Sequence, residues 1–188
     1  MKEIKNVLLL FSKILEYPTQ NLKEDVEQCA QNLKSYGSSN VRYLQKFSNN
    51  IQQIPFSKLE ELYTQHIDFN PSSSLYVGYH LFGDSYKRSK FLVRLRTIYK
   101  QSNFVEKGAE LPDCLTVILQ YFGEHSYDSE DSRLIIKESL IPSLKKIHGV
   151  FVHAKNIYCD VIQALLNLFI KMDQEHPIAI AKGGSIHE

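Results

Sequence analysis

Apolar residues recur at helical spacing along almost the whole chain. The first such face precedes Pro18 and consists of Ile4, Val7, Leu8, Phe11, Ile14 and Leu15. Spacings of three and four residues place side chains on one side of an α-helix. The same period predicts later helices, among them one over 86–100 and a last strong one over 156–172. No alternating strand pattern persists, so the sequence predicts an all-α, single-domain bundle of roughly eight to ten helices.

Residues that favour helix ends divide this pattern. Asn40 and Ser129 are predicted N-caps, because a short polar side chain can accept a hydrogen bond from a free N–H of the first turn. Ser57-Lys-Leu-Glu60 matches a capping box. Pro112 is expected to begin a seventh helix, with apolar residues following at helical spacing.

The pattern weakens toward the C-terminus. Pro142 and Gly149 interrupt it, and the sequence leaves open whether they break one long helix or separate two, which bears on helix exchange between protomers. Residues 175–188 include Gly183-Gly184 and little that can pack. We therefore expect a helical domain over 1–174, followed by a mobile tail over 175–188.

A segment without Lys or Arg extends from Leu59 through Tyr86. Within it, Asn70-Pro71 indicates a cap followed by a first-turn proline, and Gly83 indicates a C-cap, which together predict one helix over 71–82. That helix has two faces. Leu75, Tyr79 and Phe82 would share one, and Tyr76, His80 and Gly83 the other. One face must be core and the other is free to bind, and the sequence does not say which.

Composition narrows the function classes. Among 188 residues the apolar fraction is 43% and the formal net charge is +1, which gives no general attraction to nucleic acid. The three cysteines, Cys29, Cys114 and Cys159, are scattered, as in a reducing compartment. We find no signal peptide and no run near the roughly 18 apolar residues of a membrane span. We expect a cytoplasmic protein without stable membrane insertion.

The familiar enzyme motifs are missing from the sequence. There is no GxSxG nucleophile motif and no Walker loop, and Lys182-Gly-Gly-Ser185 lacks the following helix that a phosphate loop needs. His148 and His153 are five residues apart, so they do not share a helix face as paired metal ligands would. We predict no catalytic, cofactor-binding or metal-binding residue, and a protein that is not an enzyme.

Three segments carry a resemblance to a known family. They are LLLFSKILEYP from Leu8 to Pro18, LYTQHIDFNPSSSLYVGYHLFGDSYKRS from Leu62 to Ser89, and ELPDCLTVILQYF from Glu110 to Phe122. In this order and spacing they resemble the NarJ-type nitrate reductase molybdenum cofactor assembly chaperones. These form part of a wider group of redox-enzyme maturation chaperones, which also serves dimethyl sulfoxide and trimethylamine oxide reductases. The resemblance spans roughly Ile4 to Met172.

The resemblance implies an all-α cytoplasmic chaperone, without catalysis of its own, that takes part in nitrate respiration. Such a chaperone binds the N-terminal leader peptide of a molybdoenzyme catalytic subunit. It keeps that subunit unfolded enough to receive its cofactors and assists their insertion. The first candidate client is the respiratory nitrate reductase alpha subunit, and the alternative is a dimethyl sulfoxide or trimethylamine oxide reductase. We expect a monomer or a weak homodimer.

The family's motifs fall on identifiable residues. The F-G-D-S-x-x-R pattern matches Phe82 to Ser85 and Arg88, and the E-L-P-D pattern matches Glu110 to Asp113. The family commonly has His where this chain has Cys114, and Gly where it has Ser89. Together with the faces of the 71–82 helix, these motifs give the predicted peptide-binding residues Tyr76, Tyr79, His80, Phe82, Asp84, Arg88, Glu110, Pro112 and Asp113.

The residues themselves also favour a peptide groove. A leader bound as an amphipathic helix needs apolar walls and acidic edges for its basic residues. The candidate walls are the aromatic residues Tyr63, Phe69, Tyr76, Tyr79 and Phe82. The candidate rim consists of the acids Asp68, Asp84, Glu110 and Asp113.

Other interpretations of the same residues stay open. Asp84 and Arg88 are four residues apart and could form a plain surface pair, while Asp113 could serve a helix start. Tyr63 and Phe82 could belong to the core. A rival function, direct binding of a nucleotide or pterin, would use the basic helix face of Lys87, Lys90 and Arg94.

Overall fold

The computed structural model describes residues 2–125 and 127–175. Its α-helices are α1 Lys2–Leu15, α2 Leu22–Asn32, α3 Ser38–Gln52, α4 Phe56–Tyr63, α5 Val77–Phe82, α6 Tyr86–Gln101, α7 Leu115–Glu124, α8 Glu130–Leu134, α9 Ile141–His153 and α10 Cys159–Glu175. Short 3-10 turns occupy Lys34–Tyr36 and Pro71–Ser73, and π-helical segments occupy Thr64–Asp68 and Ile135–Leu140. The described ranges contain no strand, so the all-α, single-domain prediction is confirmed. The predicted mobile tail over 175–188 lies outside the described residues, except for Glu175.

The centre of the bundle is built around α1. Its apolar face is fully buried at Val7, Leu8 and Phe11, and it packs against both α2 and α7. The contact with α7 is close at Gly123, where an added Cβ would lie 2.6 Å from Leu9 Cδ2 and 3.0 Å from the Lys5 carbonyl oxygen. Glycine therefore lets the two helices approach until backbone and side chain touch. On the other side, α10 packs against α3 and α9.

Helix α8 continues through the π-helical segment into α9. Ser129 caps the start as predicted, since its Oγ accepts a hydrogen bond from Ser132 N at 3.2 Å. Pro142 stands at the beginning of α9, and Gly149 lies inside α9. A π-helical turn just before the proline accommodates a residue that has no N–H to donate. Pro142 and Gly149 thus do not separate two helices.

Several predicted helix starts are wrong, and the last helix begins at Cys159 rather than at Asn156. Helix α3 begins at Ser38, so Asn40 lies buried within it rather than capping it. Helix α4 begins at Phe56 after Pro55, which already provides the extended backbone of a cap, so Ser57 is not the cap. Helix α7 begins at Leu115 rather than at Pro112, because the segment before it pairs with another part of the chain.

That pairing also divides the helix predicted over 71–82. Asn70 Oδ1 accepts from Ser72 N at 3.1 Å, as a cap should, but the 3-10 turn ends at Ser73. Tyr76 is extended and forms an isolated antiparallel bridge with Cys114. The backbone hydrogen bonds from Val77 N to Asp113 O and from Leu115 N to Leu75 O are both 2.8 Å long. These bonds across the chain replace helical ones, so α5 starts only at Val77.

Candidate functional site

An open pocket of about 420 Å³ forms beside this bridge. Four parts of the chain meet there: the end of α1, the end of α4 with its π-helical extension, the segment before α5, and the connection from α6 to α7. The lining residues are Glu16, Tyr17, Tyr63, Ile67, Asp68, Leu75, Tyr76, Glu110, Cys114 and Thr116. This lining holds three carboxylates and three tyrosines, and it contains no Lys, Arg or His. We refer to it as the acidic pocket.

Two of the three carboxylates are held by neighbouring side chains. Glu16 Oε1 accepts hydrogen bonds from Gln120 Nε2 at 2.9 Å and from the Ser12 hydroxyl at 3.3 Å. Glu110 Oε2 accepts from the Tyr76 hydroxyl at 2.7 Å. Both acids are therefore oriented before any ligand arrives, which lowers the cost of ordering them on binding.

The third carboxylate, Asp68, carries an electrostatic penalty. Partial burial raises its pKa above the ordinary value, and the nearby charge of Glu110 raises that pKa further. Like charges close together disfavour each other's ionised form, and a cation placed between them removes the penalty. A positively charged group between Asp68 and Glu110 would therefore be favoured electrostatically.

Tyrosine rings form the apolar part of the pocket. Tyr63 is buried, its hydroxyl donates to the Leu15 carbonyl oxygen at 2.8 Å, and its ring meets that of Tyr17 edge-on at 5.5 Å. Tyr17 itself is 48% exposed. Two further apolar residues follow pocket residues directly along the chain: Phe69, after Asp68, is 80% exposed, and Leu111, after Glu110, is 37% exposed. Exposed apolar side chains beside a concave pocket are typical of an interaction site.

Tyr76 joins the pocket to a buried ion pair. Its backbone belongs to the bridge with Cys114, its hydroxyl contacts Glu110, and its ring lies 5.5 Å from the Arg88 guanidinium. Arg88 Nε donates to Asp113 Oδ2 at 2.9 Å, and Nη2 donates to Asp113 Oδ1 at 3.4 Å. Burial alone would lower the pKa of Arg88, but the hydrogen bonds and charge of Asp113 outweigh it and raise that pKa.

Asp113 is not a rim acid. Its side chain is 0% exposed and is fully engaged with Arg88 beneath α5, so its predicted position at an accessible edge is wrong. The exposed Asp84 does form the surface pair foreseen with Arg88, at 3.4 Å. The physical reason is that the turn before α7, closed by the hydrogen bond from Cys114 N to Leu111 O at 2.9 Å, places the Asp113 carboxylate against Arg88 in the first turn of α6 instead of in solvent.

The other predicted peptide-binding residues lie outside the acidic pocket. Tyr79 stacks on Arg88 at 5.8 Å, and Phe82 packs against Phe91. Pro112 is buried, and its carbonyl oxygen accepts from the Tyr99 hydroxyl at 2.9 Å. His80 Nε2 lies 2.7 Å from the Ser74 carbonyl oxygen. Burial lowers the pKa of His80. The charges of Lys146 and Arg88 lower that pKa further, whereas the hydrogen bond with Ser74 raises it.

Of the nine residues predicted to bind peptide, Tyr76 and Glu110 line the pocket. The residues that sequence reasoning missed include Glu16 and Tyr17, although both belong to the first motif. Cys114, noted as a departure from the family, lies in the wall, with its Sγ 3.2 Å from the Thr116 hydroxyl. Burial raises the pKa of this thiol to about 11, although the hydrogen bond with Thr116 acts the other way.

The basic face proposed for a nucleotide is separate from this pocket. Arg94 pairs with Asp131 at 2.6 Å, and Lys90 lies over the Tyr86 ring at 5.8 Å. Neither these residues nor Lys87 line the acidic pocket. Across residues 2–125 and 127–175, we find no group of three potential metal-ligating side chains. No helix in these ranges is both long and apolar enough to cross a membrane.

The fold and the pocket define a class of protein: an all-α protein with an acidic, tyrosine-lined pocket. The chain is similar to the probable nitrate reductase molybdenum cofactor assembly chaperone NarJ of Bacillus subtilis (strain 168). The two are 23% identical over 157 residues, which cover 82% of this chain and 83% of that protein. No family model matches the chain.

This similarity confirms the resemblance to the NarJ-type chaperones that the three motifs indicated. It extends over most of both proteins, so it does not depend on one segment alone. The relative is named as an assembly chaperone and not as an enzyme. This agrees with the prediction that the chain is not an enzyme.

Proposed function

We propose that this protein is a molybdoenzyme assembly chaperone that binds the N-terminal leader peptide of its client's catalytic subunit in the acidic pocket. The first candidate client is the alpha subunit of a respiratory nitrate reductase. By holding the leader, the chaperone keeps the subunit ready for cofactor insertion in the cytoplasm. The observation that carries the proposal is the composition of the pocket. All three motifs of the resemblance contribute to its lining, and they supply its acids and its rings.

The chemistry of the pocket indicates which part of a leader it fits. Three carboxylates around a concave site favour a Lys or Arg side chain, or a free amino terminus, over any neutral group. The exposed rings of Tyr17 and Phe69 and the side chain of Leu111 offer apolar contact next to it. A basic residue flanked by apolar ones on one face of a short helix therefore matches the site.

A phosphate-bearing ligand does not match the acidic pocket. Carboxylates repel phosphate, and among its lining residues none is a Lys or Arg that would offset this repulsion. The alternative that the geometry leaves open is a different molybdoenzyme client, such as a dimethyl sulfoxide or trimethylamine oxide reductase. Leaders of these enzymes would use the same pocket, so the choice among clients depends on the peptide.

Calorimetric titration of the purified full-length chain with candidate leader peptides tests the proposal. One arm uses the leader of a nitrate reductase alpha subunit, and the others use leaders of the alternative clients and a scrambled peptide of equal charge. We expect saturable binding of about micromolar affinity for one leader between pH 6 and 8. Equal binding of the scrambled peptide, or no saturable binding of any leader, contradicts the proposal. Light scattering on the same samples tests the predicted monomer or weak homodimer.

A further inference from the structure

Arg88 and Asp113 form a pair that is closed to a ligand. The Arg88 side chain is 15% exposed, and Asp113 is 0% exposed. The carboxylate already accepts two hydrogen bonds from the guanidinium, at 2.9 and 3.4 Å. A paired, buried carboxylate has no free edge to offer a peptide. Both residues belong to motifs from which we predicted peptide contacts, so we ask what this buried pair does instead.

The packing around the pair is tight. A Cβ added at Gly78 would lie 2.7 Å from Asp113 Oδ2, 2.9 Å from Phe91 Cδ1 and 3.3 Å from Arg88 Cγ. Real Cβ atoms do not come that close, so α5 can lie over the ion pair only because residue 78 is glycine. The pair thus joins α5, the first turn of α6 and the segment before α7 at one point.

Arg88 also contacts the pocket wall through aromatic rings. Its guanidinium lies 5.5 Å from the centre of the Tyr76 ring and 5.8 Å from that of Tyr79. A planar cation over a ring holds the ring by electrostatic attraction and by stacking. Tyr76 in turn donates its hydroxyl to Glu110 at 2.7 Å. A continuous line of contacts therefore leads from Asp113 through Arg88 and Tyr76 to Glu110 in the acidic pocket.

We propose that Arg88 and Asp113 are positioning residues. They do not touch the bound peptide. Instead, the ion pair fixes the Tyr76 ring as a wall of the acidic pocket and, through the Tyr76 hydroxyl, fixes the Glu110 carboxylate. The consequence for binding rests on the proposed function, whereas the consequence for Tyr76 itself can be measured without any ligand.

The test compares Arg88→Lys with the control Arg94→Lys in the full chain. Lysine keeps a charge opposite Asp113 but loses the planar fork and its stacking on Tyr76. Arg94 lies on the same helix and pairs with the exposed Asp131. In ¹³C spectra of labelled tyrosine, we expect the Tyr76 ring signals, assigned with Tyr76→Phe, to move in Arg88→Lys and not in Arg94→Lys. Exchange protection of the Val77 and Leu115 amides should persist in both variants.

Peptide titration completes the test. We expect Arg88→Lys to weaken leader binding about two- to fivefold. Tyr76→Phe should weaken it about three- to tenfold. In the double variant the loss should fall short of the product of the single losses, because the part of the Arg88 effect that passes through the Tyr76 hydroxyl to Glu110 is already absent in Tyr76→Phe. Asp113→Asn serves as a second variant with the same expectation if Arg88→Lys does not fold.

Two results overturn the inference. One is multiplicative losses in the double variant, which would mean that Arg88 does not act on Glu110 through the Tyr76 hydroxyl. The other is unchanged Tyr76 signals in a folded Arg88→Lys protein, whatever happens to binding. If no leader binds even the natural chain, the proposed function fails, while the tyrosine spectra still decide whether the ion pair positions Tyr76.

Discussion

At the scale of single residues, the ionised carboxylate of Asp68 in the acidic pocket lowers the stability of the protein without a ligand. Partial burial, and then the charge of Glu110, raise the pKa of Asp68 in the folded chain above that of an unfolded chain. Between these two pKa values the native state binds more protons than the unfolded state. Stability therefore falls as pH rises through that window, which begins at the ordinary pKa of an aspartate, and the loss persists at neutral pH.

Asp68→Asn should therefore raise the melting temperature slightly at pH 7, while weakening binding of a basic leader about two- to fivefold. In the natural chain, that binding should weaken as pH falls through the raised pKa of Asp68, because protonation removes its charge. Calorimetric melting and titration of the same samples measure both effects. Asp131→Asn, which removes an exposed acid paired with Arg94, is the control and should leave binding unchanged. A lower melting temperature with unchanged binding would assign Asp68 a structural role instead.

The two ion pairs of Arg88 differ in whether they could be predicted from the sequence. The Asp84–Arg88 pair could be foreseen because both lie four residues apart on a local turn. The pairing of Arg88 with Asp113 joins residues 25 positions apart, and only the fold brings them together. Burial of Asp113 could not be inferred, because an acid before a helix is usually solvated.

At the scale of elements, two glycines inside helices have different surroundings that the sequence does not distinguish: Gly123 lies at a helix contact and Gly149 does not. Gly123 lies against Leu9 and the Lys5 carbonyl oxygen, whereas a Cβ at Gly149 in α9 would meet nothing within 4 Å. The same substitution should thus have opposite effects at the two positions. Added atoms in a packed contact cost stability, while alanine in an open helix position adds it.

We expect Gly123→Ala to lower the free energy of unfolding by about 1–3 kcal/mol, since α1 and α7 must move apart. Gly149→Ala should raise it by about 0.5–1 kcal/mol. Urea unfolding followed by circular dichroism measures both, and each variant serves as the other's matched control. Destabilisation of equal size at both sites would contradict the view that Gly123 allows α1 and α7 to approach closely.

Helix periods and caps explain which elements could be predicted. Helix α6, expected over 86–100, runs from Tyr86 to Gln101, and Ser129 and Gly83 mark helix ends as foreseen. The failure over 71–82 has a physical cause. The apolar spacing there is helical, but the backbone of Leu75 and Val77 bonds to Leu115 and Asp113 instead. Local periodicity carries no information about such a distant partner.

At the scale of the whole molecule, the three motifs form one site. Residues from 16 to 116 contribute to the acidic pocket, and the segments that supply them are joined by the α1–α7 contact and the Tyr76–Cys114 bridge. The motifs could be found in the sequence because they are contiguous. Their convergence could not be found in this way, which is why Glu16 was missed and why Tyr79 and Phe82 were expected in the wall.

The central claim is that the charge of the acidic pocket binds a basic leader. Its most direct test is a calorimetric titration of a leader peptide into the natural chain and into a Glu16→Gln, Asp68→Asn, Glu110→Gln triple variant, each at low and high salt. A control variant, Glu61→Gln with Glu27→Gln, removes two acids that pair with surface lysines. In the triple variant we predict an affinity at least about tenfold weaker and little affected by salt. The natural chain and the control variant should bind with equal affinity, which should fall at high salt. Equal affinity and equal salt dependence in all three proteins would contradict the account.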